Sequence, residues 1–155
     1  MCGIVGYVGQ RQANGLLLEG LEKLEYRGYD SAGIAVMQPG GIQVCKVKGR
    51  LKNLKAEAEK KDLSGTLGIG HTRWATHGEP SVRNSHPHTN ASGSIAVVHN
   101  GIIENYAVLR EYLESEGYDF TTDTDTEVIP HLVDYYYEGN LFDAVVRAAE
   151  KLSGS

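Results

Sequence analysis

Cysteine is scarce in this chain, which has two, Cys2 and Cys45, among 155 residues. Two cysteines are too few for a disulfide framework, which excludes the small disulfide-stabilised secreted domains and favours a reducing cytosol. Long apolar runs are also absent, because none approaches the roughly 20 residues that a membrane span needs. No charged and then apolar leader follows Met1. We therefore expect a cytoplasmic protein that does not enter a membrane.

An excess of positive charge is missing as well. The 15 Lys and Arg residues are outnumbered by 20 Asp and Glu, which gives a net charge of −5. This balance argues against nucleic acid as a main partner. The length of 155 residues is that of one domain, and the 41% of hydrophobic residues is ordinary for a globular protein. The 19 glycines lie mostly at the ends of predicted elements, where they indicate tight turns and close backbone approaches.

The hydrophobic periodicity predicts strands and helices in alternation. Predicted strands cover residues 4–8, 32–37, 42–47, 66–71 and 94–98, and predicted helices cover residues 12–26, 51–61, 104–116 and 125–137. A last helix opens at Asn140, and its predicted inner face comprises Leu141, Ala144, Val145 and Ala148. A turn at Pro39 joins two of the strands into a hairpin. The expected class is α+β with a partly antiparallel sheet.

The position of Cys2 is the first chemical signal. Removal of Met1 would leave a thiol and a free α-amine on one residue. Their ordinary pKa values, about 8.5 and 7.7–8.0, both lie near neutrality, so sulfur can attack while the amine relays the proton. The alternative is a cysteine that merely follows the start codon. Gly3 is expected to let a substrate carbonyl approach the backbone closely.

The segment that follows the predicted strand 66–71 is the second signal. Residues 72–93 form a long connection without regular structure, which is usually functional or disordered. The guanidinium of Arg73 can donate two parallel hydrogen bonds to a ligand carboxylate, and Thr76 and His77 supply further donors. The alternative for Arg73 is a surface ion pair. A zinc site is an alternative, built from His71, His77, His86 and His88, but their spacing fits no closed tetrahedral pattern.

The third signal is Asn100 with Gly101 after the strand 94–98. An Asn amide and the next backbone N–H can form an oxyanion hole, although an Asn-Gly pair is also a common turn. Asp125 is a candidate to accept a ligand ammonium or to cap the helix that follows. With Arg73 for an α-carboxylate and Cys2 to attack an amide, these groups predict a pocket for a free amino acid with a side-chain carboxamide. The predicted chemistry is the hydrolysis of glutamine.

Long motifs now identify a family. They are MCGIVG at residues 1–6, LEYRGYDSAG at 24–33, HTRWATHGEP at 71–80, HPH at 86–88, HNGIIEN at 99–105 and TDTE at 124–127. With these, the whole chain resembles the N-terminal glutaminase domain of the glutamine–fructose-6-phosphate aminotransferases, which are class II glutamine amidotransferases. The EYRGYD stretch distinguishes it from the amidotransferases of nucleotide synthesis.

The resemblance implies a four-layer αββα sandwich of the N-terminal nucleophile hydrolase type. It implies that Cys2 forms a γ-glutamyl thioester and that Asn100 and Gly101 form the oxyanion hole. The glutamine pocket would comprise Arg73, Thr76, His77 and Asp125, with Trp74 at the exit for ammonia and with Arg27 and His86 nearby in supporting roles. No metal or organic cofactor is expected. The partners expected from the family are L-glutamine, a sugar isomerase domain that binds fructose 6-phosphate, and further copies of the full-length chain.

The family's glutaminase domain extends beyond the length of this chain. We therefore expect residues 1–155 to form a single partial amidotransferase domain, truncated at the C-terminal side, with the isomerase domain absent. Glutamine hydrolysis is then the expected activity. An inactive fragment and a module that binds glutamine without turnover are the alternatives.

Overall fold

The computed structural model describes residues 2–27, 30–74 and 79–155, and for Arg27 the backbone alone. The strands are β1 (Gly3–Val8), β2 (Ser31–Gln38), β3 (Gly41–Lys48), β4 (Leu67–Arg73), β5 (His88–Thr89) and β6 (Ala96–Val97). The helices are α1 (Ala13–Leu24), α2 (Leu51–Ala58), α3 (Tyr106–Ser115), α4 (Val128–Tyr136) and α5 (Leu141–Ala149). Short 3-10 turns occupy Glu25–Arg27 and Asp125–Glu127.

Four strands form one antiparallel sheet in the order β1-β4-β2-β3. The predicted hairpin is confirmed, because Gln38 of β2 pairs with Gly41 of β3. In the register of the other pairs, Gly3 lies opposite Thr72 and Gly33 lies opposite His71. The start of β1 therefore meets the end of β4, and this register places Cys2 beside Arg73 and Trp74.

The first hydrophobic core lies between this sheet and the helices α1 and α2. Leu17 and Leu21 of α1 are fully buried against Ile34 and Val36 of β2, and Leu54 contributes from α2. The helical spacing predicted for residues 12–26 is thus confirmed. Burial of one such side chain is worth about 1.5–3 kcal/mol. This core fixes the sheet whose strand ends carry the candidate site.

A second core joins the helices α3, α4 and α5. Leu113, Leu132 and Val128 are fully buried there, with Tyr106 and Leu109 packed alongside as the amphipathic pattern of α3 predicted. The short antiparallel pair β5–β6 contacts α4. The layers run from α1 and α2 through the four-stranded sheet and the two-stranded sheet to the remaining helices, in agreement with the expected αββα order.

The start of α5 was predicted correctly, but part of its predicted inner face is not buried. Asn140 caps α5, since its side chain accepts a hydrogen bond from the Asp143 N–H at 3.2 Å. Ala144 is buried, but Leu141 and Val145 are 55% and 47% exposed. They line an open groove of about 310 Å³, whose other wall is the four-stranded sheet, at Met37, Ile42 and Leu67 among others. The periodicity identified the apolar face correctly but not which part of it has a packing partner.

Asp125 is not the N-cap of α4. A 3-10 turn over Asp125–Glu127 precedes the helix, and the N-cap position of that turn is Thr124. The carboxylate of Asp125 instead accepts a hydrogen bond from the backbone N–H of Ile103.

A search of the described residues for a membrane-spanning helix, which would have to be long and apolar, finds none.

Candidate active site

Cys2 lies at the start of β1, beside the end of β4. Its Sγ accepts a hydrogen bond from the Trp74 backbone N–H at 3.1 Å, and the side chain is partly exposed. The register of β1 and β4 produces this contact. Gly3 also has a packing role that the sequence analysis did not predict, because a Cβ there would lie 2.8 Å from Leu24 Cβ and 2.9 Å from Thr72 Oγ1. The absence of a side chain at Gly3 therefore lets α1 approach the nucleophile strand.

Asn100 reaches Cys2 from 98 positions along the chain. Its Nδ2 donates to the Cys2 carbonyl oxygen at 3.1 Å. Its Oδ1 lies 2.7 Å from the Nε2 atom of His71. Because a carbonyl oxygen only accepts hydrogen bonds, the amide nitrogen must face Cys2 and the amide oxygen must face His71. His71 Nε2 therefore carries the proton and donates it to Asn100.

Gly101 lies in the link between β6 and α3. Its φ is +154°, and a Cβ there would lie 1.8 Å from the Ser155 carbonyl oxygen. The next residue, Ile102, exchanges two backbone hydrogen bonds with Ser155, and an antiparallel bridge joins Ile103 to Gly154. Residues 153–155 thus fix the backbone that carries the candidate oxyanion hole. Asn100 and Gly101 do not form the Asn-Gly turn that was the alternative, since neither residue lies in a hydrogen-bonded turn.

His71 is a buried, neutral histidine. It is 1% exposed, and burial lowers its pKa to about 4 despite the hydrogen bond with Asn100, which raises it. The sequence suggested His71 only as part of a motif and as a possible metal ligand. Its contact with Asn100 was missed, because no spacing rule connects residues 71 and 100. Its ring stacks on that of His86, with 4.1 Å between centroids and an interplanar angle of 12°.

His86 and His88 extend this buried group. Burial and the neighbouring His71 hold the pKa of His86 far below its usual value, and His86 Nδ1 accepts from the His99 N–H at 3.4 Å. His88 Nε2 lies 3.0 Å from Thr124 Oγ1. These rings stack and cross instead of converging on one point. Within residues 2–27, 30–74 and 79–155, no group of three or more His, Cys, Asp or Glu is arranged to hold a metal ion.

Arg73 is the buried cation of the site. It is 3% exposed, and its backbone carbonyl accepts from the Asp30 N–H at 3.2 Å. Burial lowers the pKa of Arg73, while its electrostatic interactions with Asp30, Cys2 and Asp125 oppose that change. All three groups therefore lie within electrostatic reach of the guanidinium. Asp30 was not predicted as a site residue, although it belongs to the EYRGYD motif.

Asp125 is a buried carboxylate tied to the Asn100 loop. Its Oδ2 accepts from the Ile103 N–H at 2.7 Å and its Oδ1 from the Thr126 N–H at 2.9 Å. Each carboxylate oxygen has a second lone pair. Asp125 can therefore hold the loop in place and still accept a hydrogen bond from a ligand ammonium.

Glu127 braces the segment that precedes Asp125. It accepts hydrogen bonds from the backbone N–H groups of Thr121 and Thr122, at 2.8 and 2.7 Å, and from the Thr122 hydroxyl. Burial raises the pKa of Glu127, but these bonds and that with His131 outweigh it and hold the pKa at about 2. Glu127 remains ionised at neutral pH.

The remaining predicted residues divide into two groups. Trp74 is 50% exposed, and its backbone contacts Cys2 through both N–H and carbonyl. Thr76, His77 and the side chain of Arg27 lie outside the described part of the chain. The structure therefore brings Cys2, Asn100, Arg73 and Asp125 into one site, with Trp74 at its edge.

Curated relatives match the whole chain. It is 63% identical over 155 residues to the glutamine–fructose-6-phosphate aminotransferase (isomerizing) of Clostridium acetobutylicum, and 55% identical to that of Thermus thermophilus. In both cases the chain spans 26% of the relative's length.

Solved structures match at lower identity. The glutamine phosphoribosylpyrophosphate amidotransferase of B. subtilis superimposes with a TM-score of 0.82 at 30% identity, over 99% of this chain and 33% of that one. A structure described as the allosteric regulatory enzyme of purine biosynthesis gives 0.85 at 30% identity, over 100% of this chain and 34% of that one. The N-terminal nucleophile hydrolase fold is therefore confirmed.

The higher identity to the fructose-6-phosphate relatives agrees with the interpretation of the EYRGYD stretch. Residues 71–155 match the family described as the glutamine amidotransferase domain. This region covers more than half of the chain and contains Arg73, Asn100 and Asp125. The chain belongs to the glutamine amidotransferase domain family.

Proposed function

We propose that this chain hydrolyses the side-chain amide of L-glutamine to glutamate and ammonia, with Cys2 as the nucleophile. The observation that carries the proposal is the contact of Cys2 with Asn100. The amide of Asn100 donates to the Cys2 carbonyl at 3.1 Å, so an oxyanion donor lies directly beside the nucleophile. We further infer that residues 1–155 belong to a single amidotransferase domain.

The first half of the reaction forms a thioester. After removal of Met1, the α-amine of Cys2 takes the proton from Sγ, and the thiolate attacks the side-chain carbonyl carbon of glutamine. A carbon–sulfur bond forms and the carbonyl oxygen becomes an oxyanion, which Asn100 Nδ2 and the Gly101 N–H stabilise. The carbon–nitrogen bond then breaks as the amine returns the proton, and ammonia leaves.

The second half regenerates the thiol. Water attacks the γ-glutamyl thioester, its proton passes to the sulfur through the α-amine, and glutamate is released. Arg73 binds the α-carboxylate of glutamine through its guanidinium, and Asp125 binds the α-ammonium. The opposite charges of these two buried groups support this assignment. Thr76 and His77 complete the pocket, Trp74 lines the exit for ammonia, and Arg27 and His86 support the site.

The longer relatives suggest what the ammonia is for. Their printed name joins glutamine to fructose 6-phosphate, and this chain spans 26% of their length. We propose that, in a full-length protein, the ammonia aminates fructose 6-phosphate held by a sugar isomerase domain, within a homo-oligomer. The two free cysteines, Cys2 and Cys45, suit the reducing cytoplasm that a thiol catalyst needs.

Intact-mass spectrometry tests the proposal. The chain is incubated with a diazoketone analogue of glutamine, and released ammonia is measured in parallel with glutamine itself. We expect a starting mass that lacks Met1, one adduct on Cys2, and steady ammonia release. Cys45 is the internal control, because it is buried and burial raises its pKa, so it should remain unlabelled.

Two outcomes contradict glutamine hydrolysis, and a third contradicts only the role of the α-amine. No adduct and no ammonia identify an inactive fragment. Calorimetric binding of glutamine without turnover identifies a binding module. Full turnover by a chain that retains Met1 removes the α-amine from the mechanism. Cys2→Ala is expected to abolish both the adduct and ammonia release while the fold is retained.

A further inference from the structure

The amide of Asn100 has two possible orientations, and only one of them points a donor toward Cys2. The observed orientation has Nδ2 at 3.1 Å from the Cys2 carbonyl and Oδ1 at 2.7 Å from His71 Nε2. Rotation of the amide by 180° would direct its oxygen at the Cys2 carbonyl and its nitrogen at His71. The first contact would then join two acceptors.

We propose that His71 is a positioning residue that fixes the Asn100 amide for oxyanion stabilisation, an inference that rests on the proposed glutamine hydrolysis. The amide nitrogen carries two hydrogens, of which the Cys2 carbonyl uses one. The hydrogen bond from His71 to Oδ1 holds the amide plane, so that the second hydrogen keeps a fixed direction. A preorganised donor of this kind stabilises developing negative charge without reorganisation during the reaction.

His71 is itself held in place from three sides. It lies in β4, an inner strand, where it pairs with Ile4 on one side and Gly33 on the other. Its ring stacks on His86 at 4.1 Å between centroids. The His86 backbone passes so close to β2 that its carbonyl oxygen occupies the space of a side chain at Gly33. A continuous series of contacts therefore connects Gly33, His86, His71 and Asn100.

The neutral state of His71 suits this role. A neutral imidazole donates from one ring nitrogen only, and the contact with Oδ1 requires the proton on Nε2. Because burial keeps the ring uncharged, its orienting effect adds no positive charge near Arg73. This positioning role explains why the site contains a buried histidine that the thioester mechanism does not otherwise use.

Two variants of the full chain separate positioning from a structural role. His71→Gln keeps an N–H donor near the position of Nε2, whereas His71→Met fills the space without a donor. We expect His71→Met to lower kcat for glutamine hydrolysis by about 10- to 100-fold, with KM changed by less than about threefold. His71→Gln should restore kcat to within about threefold of the parent. The rate of Cys2 alkylation by iodoacetamide, which needs no oxyanion donor, should be similar in all three chains.

A spectroscopic measurement makes the test independent of turnover. In 15N NMR of the parent chain, the His71 ring should show a protonated Nε2 and an unprotonated Nδ1 at neutral pH. A proton on Nδ1 overturns the proposal, as does a His71→Met chain with parental kcat or an equal loss of kcat in both variants. If the parent shows no hydrolysis although Met1 is removed, the proposed function fails, and the tautomer alone decides whether His71 orients Asn100.

Discussion

A Cβ atom on Gly33 would lie 2.0 Å from the backbone carbonyl oxygen of His86. Gly33 is the third residue of β2, and the backbone of the loop that carries His86 passes directly beside it. The stacked His71 and His86 rings therefore depend on an empty position in a neighbouring strand.

Replacement of Gly33 by alanine should displace the His86 loop. The added methyl group overlaps backbone, which cannot rotate away, and overpacking of this kind costs about 1–3 kcal/mol. We expect the free energy of unfolding in urea to fall by that amount, and Cys2 to react more slowly with the glutamine analogue. Gly40→Ala is the matched control, because a Cβ there meets nothing within 4 Å. Equal stability of the two variants would contradict this account of the loop.

Asp125→Asn should weaken glutamine binding more than catalysis. The amide oxygen can still accept one backbone N–H, but the charge that would face the ligand ammonium is lost. A hydrogen bond to a charged group is worth about 1.5–3 kcal/mol, so KM should rise about 10- to 100-fold while kcat falls less. Asp123→Asn is the control, since Asp123 is half-exposed and paired with Arg83. If both variants raise KM equally, Asp125 has no special role toward glutamine.

His88 should contribute to acid instability. Burial, together with the nearby Lys46, lowers its pKa from the usual 6.5 to about 3. Between these values the unfolded chain binds a proton that the folded chain does not, so stability falls as pH decreases from about 6.5. One histidine contributes about 1.4 kcal/mol per pH unit to this slope. Urea unfolding of His88→Gln between pH 6 and 4 should show a slope smaller by that amount, and an unchanged slope would contradict it.

Glu127 should affect the free energy of unfolding in a lower pH range than His88 does. Hydrogen bonds hold its pKa at about 2, below the usual 4.5. The stabilisation is therefore complete above about pH 4.5 and is lost as pH falls toward 2, with a magnitude of about 3 kcal/mol. Glu127→Gln should remove this dependence and destabilise the chain at neutral pH. The exposed Glu59 offers a control, Glu59→Gln, for which we expect neither effect.

The sequence was informative wherever a local pattern decided the structure. Alternating and helical apolar residues located the hairpin of β2 and β3 and the helix α1, and the Asn140 cap was recognised from residue type. The motif residues Cys2 and Asn100 do meet, as their chemistry suggested. Local rules were sufficient for the hairpin, the helix and the cap, because the neighbours that matter are near in sequence. The contact between Cys2 and Asn100 was inferred from the chemistry of the two motifs.

Features set by distant contacts were not predictable in this way. The carboxylate of Asp125 looked like a helix cap, but the Ile103 N–H offers it a better-placed donor. Val145 has the spacing of a buried residue, yet the wall opposite it is too distant to cover it. The orientation of Asn100 by His71 depends on tertiary structure that no spacing encodes. For Asp125 and Asn100 a contact across many residues decided the outcome, and for Val145 the missing contact did.

The position of β1 has a consequence for inactivation. In the described part of the chain β1 is an edge strand, paired with β4 alone, and Cys2 immediately precedes it. Loss of a single ladder would withdraw the nucleophile while β2, β3 and β4 remain paired. Edge segments of this kind open at lower free energy than a sheet interior. On gentle heating, the protection of β1 amides from hydrogen exchange should therefore be lost together with the reactivity of Cys2, at a temperature at which the rest of the sheet is still intact.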